Sequence, residues 1–336
     1  MTRRFRVLGY ALGAIALLIG GCAELVDGLV EPSNTALPPC VNDDCNCGDF
    51  SDQALAQIVL VTFPDDPYRL DRDGNGLACE ALPSNPESTD TVAPASDNIH
   101  LTLGNPSQAN TQNLNNYLIE RRAYALSYNR DRGTANWVSW QLTVAWLGNT
   151  ERQDNFRPDG GLPKGTYQVT PSDYRNSGYD RGHMAPSGDR TRSVQDNAAT
   201  FLMTNIIPQA PENNRGPWRA LEAYSRDLAY QQDRELFIIA GAYGTQDSLN
   251  QRVVVPSRLW KVIVVLDQPG SGVSGVKRNS QIIAIDMPNR DGIAGNWRDY
   301  QTSIDRIELA TGYDLLSAVP AEIQAIIEAV PSTVSP

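Results

Sequence analysis

At 336 residues with 41% hydrophobic side chains, the chain is long enough for one large domain or two smaller ones and too apolar to be disordered throughout. A formal charge of −11 argues by itself against a nucleic-acid partner, because phosphate binding rests mainly on Lys and Arg. The charge is uneven, however: residues 1–97 hold 5 Lys and Arg against 15 Asp and Glu, whereas residues 98–336 hold 23 against 24. The acidity therefore belongs to the N-terminal part, and the larger part is free to carry a local basic cleft.

In chain order, Arg3, Arg4 and Arg6 precede an uncharged, mostly apolar run over residues 7–21. That pattern reads as an export signal, and it is short for a spanning helix, which needs about 20 residues. Ile19-Gly20-Gly21-Cys22 resembles a bacterial lipobox, which implies a signal peptide over 1–22, lipidation of Cys22 and membrane attachment. An ordinary signal peptide or an uncleaved anchor fits the same residues, and Arg3-Arg4 also carries a hint of a twin-arginine signal. Every version places the mature chain outside the cytoplasm, as an envelope lipoprotein or a secreted protein.

Residues 23–39, with Pro32, Pro38 and Pro39, read as a tether, and residues 40–82 as a compact cysteine-bearing unit. Residues 83–98 are rich in Pro, Ser, Thr, Asp and Ala, a composition that builds no core and makes a linker. The five cysteines are Cys22, Cys40, Cys45, Cys47 and Cys79, so any disulfide sits in the N-terminal segment and the large domain stands on its core alone. The four besides Cys22 allow three pairings.

Asp71-Arg72-Asp73-Gly74-Asn75-Gly76 places oxygen-bearing side chains at alternate positions before a turn glycine, the spacing by which a short loop wraps a hard cation. The twelfth position, where an EF-hand carries its Glu, is Leu82, so the EF-hand pattern fails. Continued through Leu77-Ala78-Cys79-Glu80, the run resembles the excalibur domain, a small extracellular module, over residues 45–82. The resemblance implies Ca²⁺ bound by Asp71, Asp73, Asn75 and Glu80, and a disulfide from Cys79 to Cys47. A polar turn held by a disulfide, without metal, fits the same residues.

From residue 99 the pattern is that of one α/β (α+β) domain. Residues 137–146 and 167–170 read as strands, and 201–207 is an apolar segment of either type. Trp218, Leu221, Tyr224 and Leu228 have the three-to-four spacing of an amphipathic helix over 218–231. Runs at 236–240, 252–255, 260–267 and 281–286 read as strands, and helices are expected near 297–311 and 320–330.

The only histidines are His100 and His183. His100 precedes an apolar stretch and reads as structural. His183 lies in Tyr179-Asp180-Arg181-Gly182-His183-Met184-Ala185-Pro186, where charged and turn residues crowd one imidazole. Downstream come Thr204-Asn205-Ile206-Ile207-Pro208-Gln209 and Asn213-Asn214-Arg215-Gly216-Pro217-Trp218, then Leu221-Glu222. Asn214 and Glu222 are eight apart, a little over two helical turns, and share a face if the helix begins that early. Taken alone, Asn214 is as well read as a helix cap.

Together with Tyr174-Arg175-Asn176-Ser177-Gly178, these motifs resemble the DNA/RNA non-specific endonuclease family, in particular its secreted, sugar-non-specific cyanobacterial members. The likeness spans residues 99–332, through Tyr128-Asn129, Gly133-Thr134-Ala135-Asn136-Trp137, Glu151-Arg152-Gln153-Asp154-Asn155-Phe156-Arg157-Pro158-Asp159 and Thr311-Gly312-Tyr313-Asp314. It implies a ββα-metal fold with a central antiparallel sheet flanked by helices. By the same resemblance His183 matches the general base, a role suited to a group whose unperturbed pKa is about 6.5. Asn214 matches the direct ligand of a Mg²⁺ or Mn²⁺ ion, and Glu222 an acid that orients the ion's waters. Arg152 and Arg226 match phosphate-contacting arginines, Arg181 a further arginine near the site, and Asp180 and Asn205 residues that orient it.

The substrates so implied are DNA and RNA, single- or double-stranded, cut without sequence preference to leave 5′-phosphates. A cognate protein inhibitor is compatible with such an activity. The alternative is a catalytically inactive polyanion-binding or calcium-dependent surface adhesion lipoprotein, against which the joint presence of His183, Asn214, Glu222 and Arg152 speaks.

Overall fold

The computed structural model describes Cys40 and residues 45–50, 53–63, 66–72, 78–82 and 98–334. The expected signal peptide with Cys22, the tether, the linker up to residue 97, and the loop residues Asp73 and Asn75 lie outside the described residues. No described helix is long and apolar enough to cross a membrane. The chain divides into two compact units, residues 1–89 and 90–336.

In the first unit, Cys40 pairs with Cys45 and Cys47 with Cys79. Helix α1 (Gln53–Thr62) buries Ala56 and Val59, one turn apart, against Phe50, Leu70, Ala78 and the half-cystines Cys45 and Cys79. So small a core is the usual setting for disulfides. The 47–79 bridge, with a sequence separation of 32, removes about 4 kcal/mol of unfolded-chain entropy in the loop-closure account. Beside it the Cys79 N–H donates to the Leu70 carbonyl at 2.8 Å, closing the base of the 71–78 segment.

The second unit contains β1 (Tyr117–Glu120), β2 (Ala125–Asn129), β3 (Thr134–Leu142), β4 (Asp180–His183), α2 (Val194–Ala199), β5 (Ile206–Gln209), α3 (Pro211–Asn213), α4 (Arg219–Gln231), β6 (Glu235–Tyr243), β7 (Asp247–Leu249), β8 (Val253–Val255), β9 (Arg258–Leu266), β10 (Gln281–Pro288), α5 (Ile304–Thr311) and α6 (Ala321–Ile327). Six strands make one antiparallel sheet in the order β1-β2-β3-β6-β9-β10, and β4-β5 and β7-β8 form separate pairs. The fold is thus a mixed α/β arrangement around a central antiparallel sheet.

Side chains alternate across a strand, and β9 shows what that does here. Leu259, Ile263 and Val265 pack on one face with Leu221 and Leu228 of α4, while Trp260, Val262, Val264 and Leu266 pack on the other with Ile304, Ile307 and Ile327 of α5 and α6. Both faces are covered, so the strand reads as a nearly unbroken apolar run. The exception is Lys261, whose odd position puts it on the α4 face.

Three sequence expectations differ in detail. Residues 167–170 are not a strand: the Thr170 N–H is taken by the Asp173 carboxylate at 2.8 Å, which caps a 3₁₀ turn over Pro171–Tyr174. The first strand expected over 137–146 ends at Leu142 and turns into a 3₁₀ segment at Val144–Trp146. The helix expected over 297–311 is split, a 3₁₀ turn at Trp297–Tyr300 and then α5, which starts at the Ser303 cap and stops at Gly312 with φ 75°. The undecided segment 201–207 resolves into a turn, a 3₁₀ stretch at Met203–Asn205 and the start of β5.

Candidate active site

Strands β4 and β5 run antiparallel, with Asp180 opposite Gln209 and His183 opposite Ile206. Between them Gly182 is required: a Cβ there would lie 2.1 Å from Gln209 Oε1 and 2.6 Å from its Cβ. The link leaving His183 is held by the fully buried Asn205, which donates to the carbonyls of Ala185 and Thr200, both at 2.8 Å, and accepts from the Ala185 N–H at 3.0 Å. Its role in the described structure is therefore to fix the chain beyond His183.

After β5 the chain runs through α3, a π-helical stretch over Asn214–Trp218, and α4. Gly216 leaves helical geometry at φ −99° and ψ −111°, just before Pro217, which has no N–H to continue the ladder. Asn214 and Glu222 consequently do not sit two regular turns apart on one helix, the arrangement considered from their spacing. The kinked path still brings both to the wall of one cleft. Asn214 caps no helix with its side chain; its Nδ2 donates to Asp180 Oδ2 at 2.9 Å, and no described residue donates to its Oδ1. Asp180 also accepts from Arg215 Nε and Nη2 at 2.8 and 2.6 Å. Burial raises the Asp180 pKa, but the bonds from Arg215 and Asn214 outweigh it and hold the carboxyl below its ordinary range.

The cleft has a volume of about 310 Å³ and is lined by His183, Asn214 and Glu222 together with Arg152, Arg181, Arg215, Arg219 and Arg226. Arg152, Arg215 and Arg226 are paired with Asp154, Asp180 and Asp189, while Arg181 and Arg219 have no carboxylate partner among the described residues, a local basic surplus of the kind that the near-neutral charge of residues 98–336 permitted. A neighbouring recess of about 510 Å³ shares Arg152, Arg181 and Asn214 and adds Tyr174, Arg175 and Tyr179.

His183 is 9% exposed and its buried Nε2 has no hydrogen-bond partner. Its ring packs against Phe156 and Phe201, with centroids at 5.3 and 4.9 Å. Each phenyl also carries an arginine: Arg152 lies 4.7 Å from the Phe201 centroid and Arg181 4.1 Å from that of Phe156. Arg152 is further tied to Ser187 Oγ at 2.8 Å and Asp154 Oδ1 at 2.9 Å. Burial first, and then Arg152 and Arg181, push the imidazole pKa down to about 3. At neutral pH His183 is therefore an uncharged base with an unspent nitrogen.

Arg226, which also lines the cleft, donates to Asp189 at 3.0 Å, and the other Asp189 oxygen accepts from Trp140 Nε1 at 2.9 Å. Glu222 lies 3.8 Å from Lys261 Nζ, which is buried and sits 4.0 Å over the Trp218 ring. Burial raises the Glu222 pKa and lowers that of Lys261, and each charge partly offsets the shift of the other. Sequence reasoning singled out neither Lys261 nor Asp189, nor the phenyl rings that carry Arg152 and Arg181. The available signal was a single charge inside the apolar β9 run, on the parity that faces α4.

A family model for DNA/RNA non-specific endonucleases matches residues 104–322. A nuclease of Nostoc sp. is 51% identical over 255 residues, covering 75% of this chain and 92% of the relative. The mitochondrial nuclease EXOG of Xenopus laevis is 32% identical over 205 residues, 56% of this chain, which spans about half the length of that relative (55%). Among solved structures, one of the EndoG/EndoGI complex matches with a TM-score of 0.56 at 24% identity, over 68% of this chain and 95% of that one, a likeness of fold.

Proposed function

The chain belongs to the DNA/RNA non-specific endonuclease family and is a nuclease, and from that premise we propose that it hydrolyses phosphodiester bonds in both DNA and RNA, single- or double-stranded, without reading sequence, leaving 5′-phosphates. The observation that carries the reading is a neutral His183, neither ring nitrogen of which has a hydrogen-bond partner among the described residues, lining a cleft with five arginines.

In this mechanism His183 takes the proton from the water that attacks phosphorus. The two arginines that, after burial, depress its pKa are also the groups a phosphate meets. An anion between them cancels part of their field, so the imidazole gains basicity when substrate is bound. Arg152 and Arg226 present planar donor forks to phosphate oxygens, and the Asp189 bond holds Arg226 in place. Contacts of this kind locate the backbone and carry no base identity. Expelling a 3′-oxygen requires no ribose hydroxyl, so both nucleic acids serve.

The residues fit a divalent cation of the Mg²⁺ or Mn²⁺ type. Committing Nδ2 of Asn214 to Asp180 leaves Oδ1, a hard neutral oxygen, as a ligand, with Glu222 lining the same cleft. When bound, such an ion supplies positive charge for the leaving 3′-oxygen. One neutral protein ligand gives weak binding, which suits an ion that keeps most of its water. Lys261 keeps Glu222 compensated in its buried position.

The reading includes export, supported by the arginines and apolar run of residues 3–21, with Cys22 as the lipid-anchored or released end. It also includes Ca²⁺ at Asp71, Asp73, Asn75 and Glu80, supported by their spacing and by the closed base of that segment. The decisive test is digestion of plasmid DNA and of RNA with Mg²⁺ or Mn²⁺, wild type beside His183→Ala. Wild type that cuts neither substrate, or a variant that cuts as fast, removes the proposal.

A further inference from the structure

On the face of the sheet away from α4, three carboxyl groups meet. Asp305 and Glu308 are one turn apart on α5, and Glu328 follows the last residue of α6. The Asp305 N–H donates to the Glu328 carbonyl at 3.1 Å and the Leu315 N–H to Glu308 Oε1 at 2.7 Å, which ties the three into one corner. A carboxylate oxygen of each lies within 4.8 Å of the others. None of the three is in an ion pair with a described Lys, Arg or His. Glu328 is only 6% exposed and its Oε1 has no hydrogen-bond partner, while Asp305 is open to solvent.

Buried polar atoms are almost always bonded, and adjacent carboxylates repel. A corner that gathers three of them and leaves a buried oxygen unspent asks for a positive charge. We infer that Asp305, Glu308 and Glu328 form a binding site for a divalent metal ion of the calcium class, which clamps α5 to the C-terminal end of α6. Ca²⁺ accepts all-oxygen sites of six to eight ligands in flexible geometry, so three carboxylates and water entering past Asp305 suffice, whereas Mg²⁺ demands a near-ideal octahedron. None of the three residues lines the arginine cleft, so the site is independent of the chemistry proposed there.

The test uses the full chain stripped with EDTA and compares wild type with Asp305→Asn and Glu328→Gln; Asp305 is exposed, so its variant folds. Thermal midpoints are followed as Ca²⁺ is added, and bound ⁴⁵Ca²⁺ is counted by equilibrium dialysis. With an affinity on the order of 10⁻⁴ to 10⁻³ M, the wild-type midpoint is expected to rise by about 5 °C or more at a hundredfold excess over Kd. Both variants are expected to lose that rise and to bind one ion fewer, while any Ca²⁺ at the 71–80 loop is common to all three and cancels. Digestion rates with Mg²⁺ are expected to be equal in wild type and Asp305→Asn. An equal rise and an equal ion count in wild type and Asp305→Asn overturn the inference. So does a wild type indifferent to Ca²⁺ beside a Glu328→Gln variant that is more stable in EDTA, since the corner then holds a shared proton.

Discussion

His100 and His183 occupy two regions of the nuclease unit, and both are buried and pushed far below the ordinary histidine pKa. His100 falls to about 4, by burial and then Arg190, and His183 to about 3, by burial and then Arg152 and Arg181. The regions differ in what the ring nitrogens do. His100 Nε2 donates to the Arg122 carbonyl at 2.7 Å and its Nδ1 accepts from the Gln141 N–H at 3.1 Å. His183 keeps a buried Nε2 with no partner. Burial and a depressed pKa are thus common to both histidines; what separates them is that His100 spends both ring nitrogens on the backbone, whereas His183 has no described partner and lies beside Arg152 and Arg181.

The comparison breaks most directly on activity. Replacing His183 with Ala is expected to lower kcat by roughly 10²–10⁴-fold, with the circular dichroism spectrum unchanged, while His100→Gln leaves kcat where it was. Equal losses in steady-state digestion by the two variants would erase the distinction. A smaller effect is expected from Lys261→Met, which meets the site through its ion pair with Glu222: an activity loss of about 10–100-fold with a raised Mg²⁺ requirement. Because the two residues act together, Glu222→Gln/Lys261→Met should be little worse than either single change. Additive losses in that double-mutant cycle would show that Lys261 does not act through Glu222.

His100→Gln should instead appear in stability. Leaving the Arg122 carbonyl and the Gln141 N–H without their partner costs about 1–3 kcal/mol, readable as a lower urea midpoint at constant slope. An unchanged midpoint would mean that His100 is not structural.

The pH dependence is subtler and follows from the sign of the shifts. Both histidines have folded pKa values below the unfolded one of about 6.5, so the unfolded chain binds the extra protons. Their contribution to stability is complete above that pH and is lost as pH falls toward about 4 for His100 and about 3 for His183. In kinetics, the acid limb of kcat/KM should lie below pH 6 and that of kcat higher, since bound phosphate offsets Arg152 and Arg181. An acid limb of kcat/KM at the ordinary histidine value would contradict the buried, arginine-flanked environment.

Much of this site was legible beforehand. The run around His183 and the Asn214 and Glu222 motifs are local strings, and α4 announced itself through Trp218, Leu221, Tyr224 and Leu228. The apolar runs of β6, β9 and β10 were equally plain. Residues 167–170 misled because Thr170 has a strand-like sequence but spends its N–H on Asp173. The cap reading of Asn214 failed because its amide reaches back to Asp180 across 34 positions. Spacing cannot show such a bond.

By itself, the sequence determined the periodic elements, the confinement of cysteines to the N-terminal unit, and the identity of the candidate site residues. Only the tertiary structure decided which of them meet. Arg152, His183 and the Asn214–Glu222 segment come from separate stretches of chain, and Lys261 reaches Glu222 from β9 at 3.8 Å. The physical reason is that burial, orphaned hydrogen-bonding atoms and the fields of neighbouring charges are properties of the packed state. The two histidines owe their contrast to contacts that no local pattern carries.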